Sequence, residues 1–348
     1  MTSFIVYKRY FCTRTDISTV QTAPGLNLDQ DKTMSISSNE ILAVPHQRKS
    51  KNSQHKQALY DRTHDLVVLT RILIVGVLVL TYIYSNQVQT MINLLWNILL
   101  TSAIYNSVYF ETWFTTFCYA FIIAIYPFVL HYIKPFEKYK IHQSVTYQHQ
   151  SVLYLVWKAI LYMAPLATMD TFIVKKYHGV QPDVWVEKRV DWIQTSRALP
   201  EMPPTVLQLI VHLIGSVLLF DLIFFFIHFS LHRNFWLYKT FHRYHHDHDV
   251  LHPHVTDQLT VTERLALVLS ANFALKCFNS HPLTRTFFVP VFVFLLVENH
   301  TGYDIPLGIH RIIPFGILSG PVKHYNHHVN GERNYQPFLN YMDYIFIK

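Results

Sequence analysis

The 348-residue chain is 51% hydrophobic and 15% aromatic but only 15% charged. Soluble domains carry about 25% charge, so this composition excludes a globule solvated on all sides and points to a membrane protein. The formal charge of +7, from 29 basic and 22 acidic residues, comes without any nucleic-acid motif and reads as affinity for anionic membrane surface.

Residues 1–60 are polar and without periodicity, and the first ten lack the apolar core, roughly 7–15 residues long, of a secretory signal. They are expected to form a flexible polar tail. Apolar runs follow at Leu66–Tyr84, Ile92–Phe110, Trp113–Ile133 and Val152–Ile173, most of them long enough to cross about 30 Å of hydrocarbon. Arg71 near the start of the first run is expected to snorkel toward headgroups. Cations after Ile133, in Lys134-Pro-Phe-Glu-Lys-Tyr-Lys140, place that end in the cytosol. The 174–205 connection is also basic, through Lys175, Lys176, Lys188, Arg189 and Arg197, so one intervening segment is expected to be re-entrant or interfacial. Val206–Ile227 is the fifth run. Leu265–Phe278 and Thr286–Glu298, divided by the turn signal Asn279-Ser-His-Pro-Leu283, read as a helical hairpin. Three scattered cysteines, Cys12, Cys118 and Cys277, offer neither a disulfide framework nor a CxxC site. The expected fold is therefore all-α: a multi-pass helical membrane protein with a tail at 1–60, transmembrane helices at 61–205 and a catalytic domain at 206–348.

The chemistry lies in the 22 histidines, which are unevenly spread. Box one is His228-Phe-Ser-Leu-His232. Box two, His242-Arg-Tyr-His-His246, and box three, His324-Tyr-Asn-His-His328, both read HxxHH. Residues i, i+3 and i+4 share a helix face, so each box aims two or three imidazoles at one point. A nitrogen-rich site suits iron, copper, zinc or nickel and not calcium or magnesium. The bland alternative is that histidines merely tolerate the interface, but a polar cluster near a membrane is costly enough to mark function. Boxes one and two share a membrane face, and the hairpin supplies the even number of crossings that returns box three to it. The same hairpin returns His300, a ninth candidate ligand. Nine imidazoles exceed what one ion accepts, so two metals are expected.

Asp221, seven residues before His228 on the same helix face, is a candidate to hydrogen-bond a ligand's second nitrogen. Glu263 and Asp343 are further candidates to support a ligand, although surface or interface carboxylates are the preferred reading of both. His212, His281 and His310 read as structural, and His248, His252 and His254 stay outside the ligand set. The aromatic runs Phe224-Phe-Phe226 and Phe235-Trp-Leu-Tyr238 read as a lipid slot or as ordinary interfacial aromatics.

At its boxes the chain resembles the fatty acid hydroxylase and sterol desaturase superfamily over roughly residues 205–348. The strings His281-Pro-Leu-Thr284, His300-Thr-Gly-Tyr-Asp-Ile-Pro306 and His310-Arg-Ile-Ile-Pro-Phe315 are similar to those of its cholesterol 25-hydroxylase branch and of the related sterol C4-methyl oxidases. The resemblance implies a cytosolic histidine cap in the endoplasmic reticulum membrane and two non-haem iron ions. It also implies dioxygen, and electrons from NAD(P)H through cytochrome b5 or a flavin reductase. His228, His232, His242, His245, His246, His324, His327 and His328 correspond to the family's ligands, and His300 matches a family histidine. Box three departs from the 25-hydroxylase pattern: Lys323 replaces a second histidine, and Tyr325 and Asn326 replace Asp and Leu. The implied reaction is hydroxylation of a sterol or related lipid. The alternatives are desaturation, C4-methyl oxidation, or an inactive lipid- or zinc-binding protein.

Overall fold

The computed structural model describes residues 46–142, 151–172, 175–181, 183, 184, 187, 196–248 and 250–347. The chain divides into two compact units, Met1–His55 and Lys56–Lys348, and the second carries every histidine box. Residues 1–45 of the expected tail, together with Lys188 and Arg189, lie outside the described residues. From His46 onward the expected tail is instead helical and continuous with the first apolar run, as α1 (His46–Ile83). Its Gln-, Lys- and Ala-containing sequence has good helix propensity, which polarity alone does not reveal.

The remaining long helices follow the apolar runs. They are α2 (Ser85–Thr101), α4 (Phe110–Tyr132), α5 (Val152–Phe172), α6 (Val206–Arg233), α7 (Val261–Cys277) and α8 (Pro282–His300). The second run breaks at Ser102, whose hydroxyl accepts from the amide of Tyr105 and starts a separate short α3 (Ala103–Asn106). Among the described residues, Thr63–Ile83, Phe110–Tyr132, Val206–Arg233 and Pro282–His300 are long and apolar enough to cross a bilayer. Among the described residues a parallel strand pair, Lys175–Val180 with Ser196–Pro200, departs from the all-α reading.

The packing centre is aromatic. Phe220 of α6 is fully buried against Phe288 and Phe292 of α8, Leu275 of α7 and Phe338, with Phe220 and Phe292 edge-to-face at 4.6 Å. In hydrocarbon such contacts gain from close van der Waals packing, because lipid tails are as apolar as the side chains. Polar clasps complement them: the Trp96 indole on α2 donates to the Pro200 carbonyl at 3.1 Å. Arg285 of α8 donates to Asn272 of α7 at 2.7 Å and pairs with Glu111 of α4 at 3.4 Å.

Arg71 does not snorkel. It donates to the backbone carbonyls of Ile312 and Arg311 at 2.8 Å each, fastening α1 to the segment before box three. The hairpin forms as expected: α7 leaves the neighbourhood of box two and α8 returns with His300 as its last residue.

Candidate metal centre

Four stretches deliver imidazoles to one place. His228 and His232 lie one turn apart near the end of α6, whose start is set by a Thr205–Gln208 capping box. Box two spans a π-helical turn, Tyr238–His242, and a helical turn, Arg243–His246. The π turn shifts His242 relative to a regular α-helix, the kind of bulge that accompanies functional sites. His300 ends α8. His324, His327 and His328 lie along α9 (Gly320–Asn330), which stops at Gly331, where a left-handed φ of 67° permits the reversal.

The rings sort into two groups. His228, His232, His242, His246 and His327 form one; His245, His300, His324 and His328 form the other. Within each, the donor atoms lie within 4.8 Å of one another. All nine histidines singled out in the sequence fall in these groups, so the structure brings together every one of them.

The fit to a metal can be judged from the distances. In the first group His242 Nε2 lies 3.0 Å from His228 Nε2, 2.8 Å from His232 Nε2 and 3.0 Å from His246 Nε2. His327 Nε2 lies 3.1 Å from His228 Nε2. In the second, His324 Nε2 lies 3.0 Å from His300 Nε2 and 3.1 Å from His328 Nε2. Nitrogens about 2.1 Å from a metal and about 90° apart sit about 3.0 Å from one another, whereas tetrahedral angles space them about 3.4 Å. The observed edges match five- or six-coordination.

Proton placement supports the same fit. His228 and His327 direct Nδ1 at the carbonyls of Tyr335 and Arg333, at 2.7 Å each, and His300 Nδ1 meets the Leu296 carbonyl at 2.7 Å. A carbonyl only accepts, so Nδ1 carries the proton and the neutral ring presents a lone pair at Nε2. The facing Nε2 atoms of His228 and His327 are therefore two lone pairs, an arrangement a cation relieves. Burial first, and then neighbouring imidazoles, hold His242, His245, His324, His327 and His328 well below the ordinary histidine range. Burial pushes His246 down to about 3. All six are neutral near neutral pH, the form that ligates metal.

The groups around the ligands differ from the sequence expectation. Asp221 touches no histidine: its carboxylate accepts from Gln336 Nε2 at 2.7 Å and from the amides of Phe338 and Leu339 at 2.6 and 3.2 Å. It thus anchors the chain just past Tyr335, whose carbonyl holds His228. The helix-face reading missed this because the 336–339 segment lies between Asp221 and the ligands. Glu263 and Asp343 are buried, not at the surface. Glu263 Oε1 lies 2.5 Å from His242 Nδ1, and burial pushes its carboxyl up to about 8. Asp343 accepts from the amides of Tyr335 and Gln336. His248, outside the ligand set, reaches His328 Nδ1 with its Nε2 at 3.0 Å. The usable signal for Glu263 was an acidic residue opening the helix that follows box two.

His281 and His310 hold structure as expected. His281 caps α8, accepting from the Leu283 amide, and His310 pairs with Asp304.

A small pocket adjoins both histidine groups. His228 and His242 of the first group and His245, His300 and His324 of the second line it, together with Tyr119, Phe224, Leu267 and Leu296 from four helices. Of the two aromatic runs only Phe224 lines it. Phe225 is buried against Tyr335 and Met342, while Phe226, Phe235 and Trp236 are exposed.

A buried, nitrogen-lined site able to hold metal, beside an apolar pocket and carried by apolar helices, defines a class, and comparison with known proteins agrees. Residues 213–347 match the fatty acid hydroxylase family. That match and the relatives that follow support the fatty acid hydroxylase and sterol desaturase superfamily, on its cholesterol 25-hydroxylase side, and a hydroxylating oxidoreductase. It is similar to human (Homo sapiens) cholesterol 25-hydroxylase, 29% identical over 72% of this chain and 85% of that protein. It is also similar to the zebrafish (Danio rerio) cholesterol 25-hydroxylase-like protein 1, member 2, 38% identical over 42% of this chain and 54% of that protein. The mouse (Mus musculus) cholesterol 25-hydroxylase is 34% identical over 44% of this chain and 51% of that protein, so against these last two the chain spans about half the relative's length. No solved structure matches the chain.

Proposed function

We propose that this chain is a membrane non-haem di-iron oxygenase that hydroxylates a sterol or a related lipid with dioxygen. The observation that carries the reading is the division of nine histidines into groups of five and four, with donor atoms within 4.8 Å in each group and six nitrogen–nitrogen edges near 3 Å, beside an apolar pocket. Five donors in one group exceed the tetrahedral set of a structural zinc site. His228, His232, His242, His246 and His327 would hold one iron, and His245, His300, His324 and His328 the other. Bound iron supplies dioxygen activation and the oxidation of an unactivated C–H bond. Electrons come from NAD(P)H through a donor such as cytochrome b5 or a flavin reductase.

The chain's own residues do the rest. The Tyr335, Arg333 and Leu296 carbonyls fix ring orientation and keep each Nδ1 proton away from the centre. Phe224, Leu267 and Leu296 exclude water and present hydrocarbon to the centre. No side chain is required as a general base. The setting we propose is the endoplasmic reticulum membrane with the boxes facing the cytosol. The relatives named above favour a sterol substrate.

The test is expression in sterol-containing membranes with reductant, followed by metal analysis and mass spectrometry of the lipids. Two irons per chain and a lipid gaining one oxygen are expected. Zinc alone, or a lipid losing two hydrogens without gaining oxygen, would overturn the hydroxylase reading.

A further inference from the structure

The string His310–Phe315, singled out in the sequence, contributes nothing to the metal centre, yet its structure is unusual. Phe315 is 93% exposed and sits at φ +67°, the left-handed region that bulky L-residues avoid. Gly316 follows at φ +62°. Ile313 and Ile317 on either side are also exposed. The segment is not loose. Arg71 holds the carbonyls of Arg311 and Ile312, and Asn340 and Lys323 hold that of Gly316, at 2.6 and 3.3 Å. A rigid backbone therefore projects an aromatic ring outward in a costly conformation.

What surrounds that ring follows from its tether. Arg71 lies eight residues into the apolar span Thr63–Ile83, about 12 Å along the helix axis. Its neighbours Ile72, Leu73 and Val75 are exposed along α1, the face an apolar span turns to lipid. The carbonyls of Arg311 and Ile312 thus sit at bilayer depth, and Phe315, three residues beyond, lies within about 10 Å of them. A phenylalanine ring has no polar atom to keep in water, so acyl chains are its favoured setting at that depth.

We propose that residues 312–317 form a loop inserted into the bilayer, with Phe315 seated among lipid acyl chains on the side of the membrane that carries the histidine boxes. The inference is independent of the metal chemistry. α9 begins at Gly320, five residues past Phe315, so the inserted loop also sets the depth of box three.

The experiment places a nitroxide at Phe315→Cys in the full-length chain bearing Cys12→Ser, Cys118→Ala and Cys277→Ser. The protein is reconstituted in phosphatidylcholine vesicles. Leu73→Cys serves as the lipid reference and Glu332→Cys as the aqueous one. Collision with oxygen several-fold above collision with a water-soluble nickel chelate, as at Leu73→Cys, is expected. A label as open to nickel as at Glu332→Cys would overturn the proposal. So would one closed to both reagents, which would mean a protein partner covers it. Ile317→Cys gives an independent reading with the Phe315 ring intact and is expected to show the same lipid pattern. An aqueous pattern there would count against insertion.

Discussion

The Glu263 carboxyl and the His242 imidazole meet at 2.5 Å with both side chains buried, and His242 turns its other ring nitrogen into the five-histidine group. Its Nε2 lies within about 3 Å of three other ligand nitrogens. Orienting this one ring orients the edges of the whole five-nitrogen set. Replacing Glu263 by Gln or Ala is therefore expected to weaken metal retention at the first group by about 10–100-fold. Chelator competition on the purified protein measures this, and wild-type retention in Glu263→Ala would remove Glu263 from the metal's support.

The two groups also predict which substitutions act on which metal. His327 belongs to the first and His245 to the second. Alanine at either position is expected to abolish oxygen insertion, while each removes a different one of the two metal equivalents. Metal content after each single substitution, and after both together, separates the sites. Full oxygen insertion in both single mutants would sink the ligand assignment.

Much of this centre was legible in the sequence, because i,i+3 and i,i+4 spacing reports helix faces directly. The hairpin could be deduced as well, since two short apolar runs around Asn279-Ser-His-Pro-Leu283 return His300 and box three to the first two boxes. What could not be read was the division of the rings. His242 and His245 stand three residues apart yet serve different groups, and so do His324 and His327 on the regular helix α9, so i,i+3 spacing does not report which group a ring joins. The carbonyls that hold His228 and His327 carry no residue signature at all. Arg71 read as snorkelling because its acceptors, 240 and 241 residues away, are backbone atoms.

Acid is expected to destabilise the metal-free protein. His246 falls to about 3 in the fold against an ordinary value of 6.5. His242, His245, His324, His327 and His328 are lowered likewise, chiefly by burial. Below about pH 6.5 the unfolded chain takes up protons on these rings that the folded chain refuses, so stability falls with pH. The decline continues until the folded-state values are reached, near 3 for His246. A thermal midpoint of the detergent-solubilised apoprotein that drops steadily from pH 7 to pH 5 is expected, with bound metal raising the midpoint without removing the slope. A flat profile would mean that these rings are already protonated or hydrated in the fold.

Asp221 supplies a further test, since it acts on the site only through the chain it anchors. Its two oxygens accept from three donors, Gln336 Nε2 and the Phe338 and Leu339 amides, all in buried surroundings. Alanine leaves those donors without an acceptor, at about 1–3 kcal/mol each. The segment they belong to begins at Tyr335, whose carbonyl meets His228 Nδ1 at 2.7 Å. Asp221→Ala is therefore expected to lower the thermal midpoint by several degrees and to loosen the first metal. Asp221→Asn, which keeps one acceptor oxygen, should do less of both. The rings of the second group make no direct hydrogen bond to this segment among the described residues, and only Asn299 beside His300 and Ser319 ahead of α9 reach it, through the Pro337, Phe338 and Leu339 carbonyls, so its metal should be loosened less. Equal loss of both metals from Asp221→Ala at a temperature where the protein is still folded would contradict the arrangement, because it would mean that Asp221 supports the two groups alike.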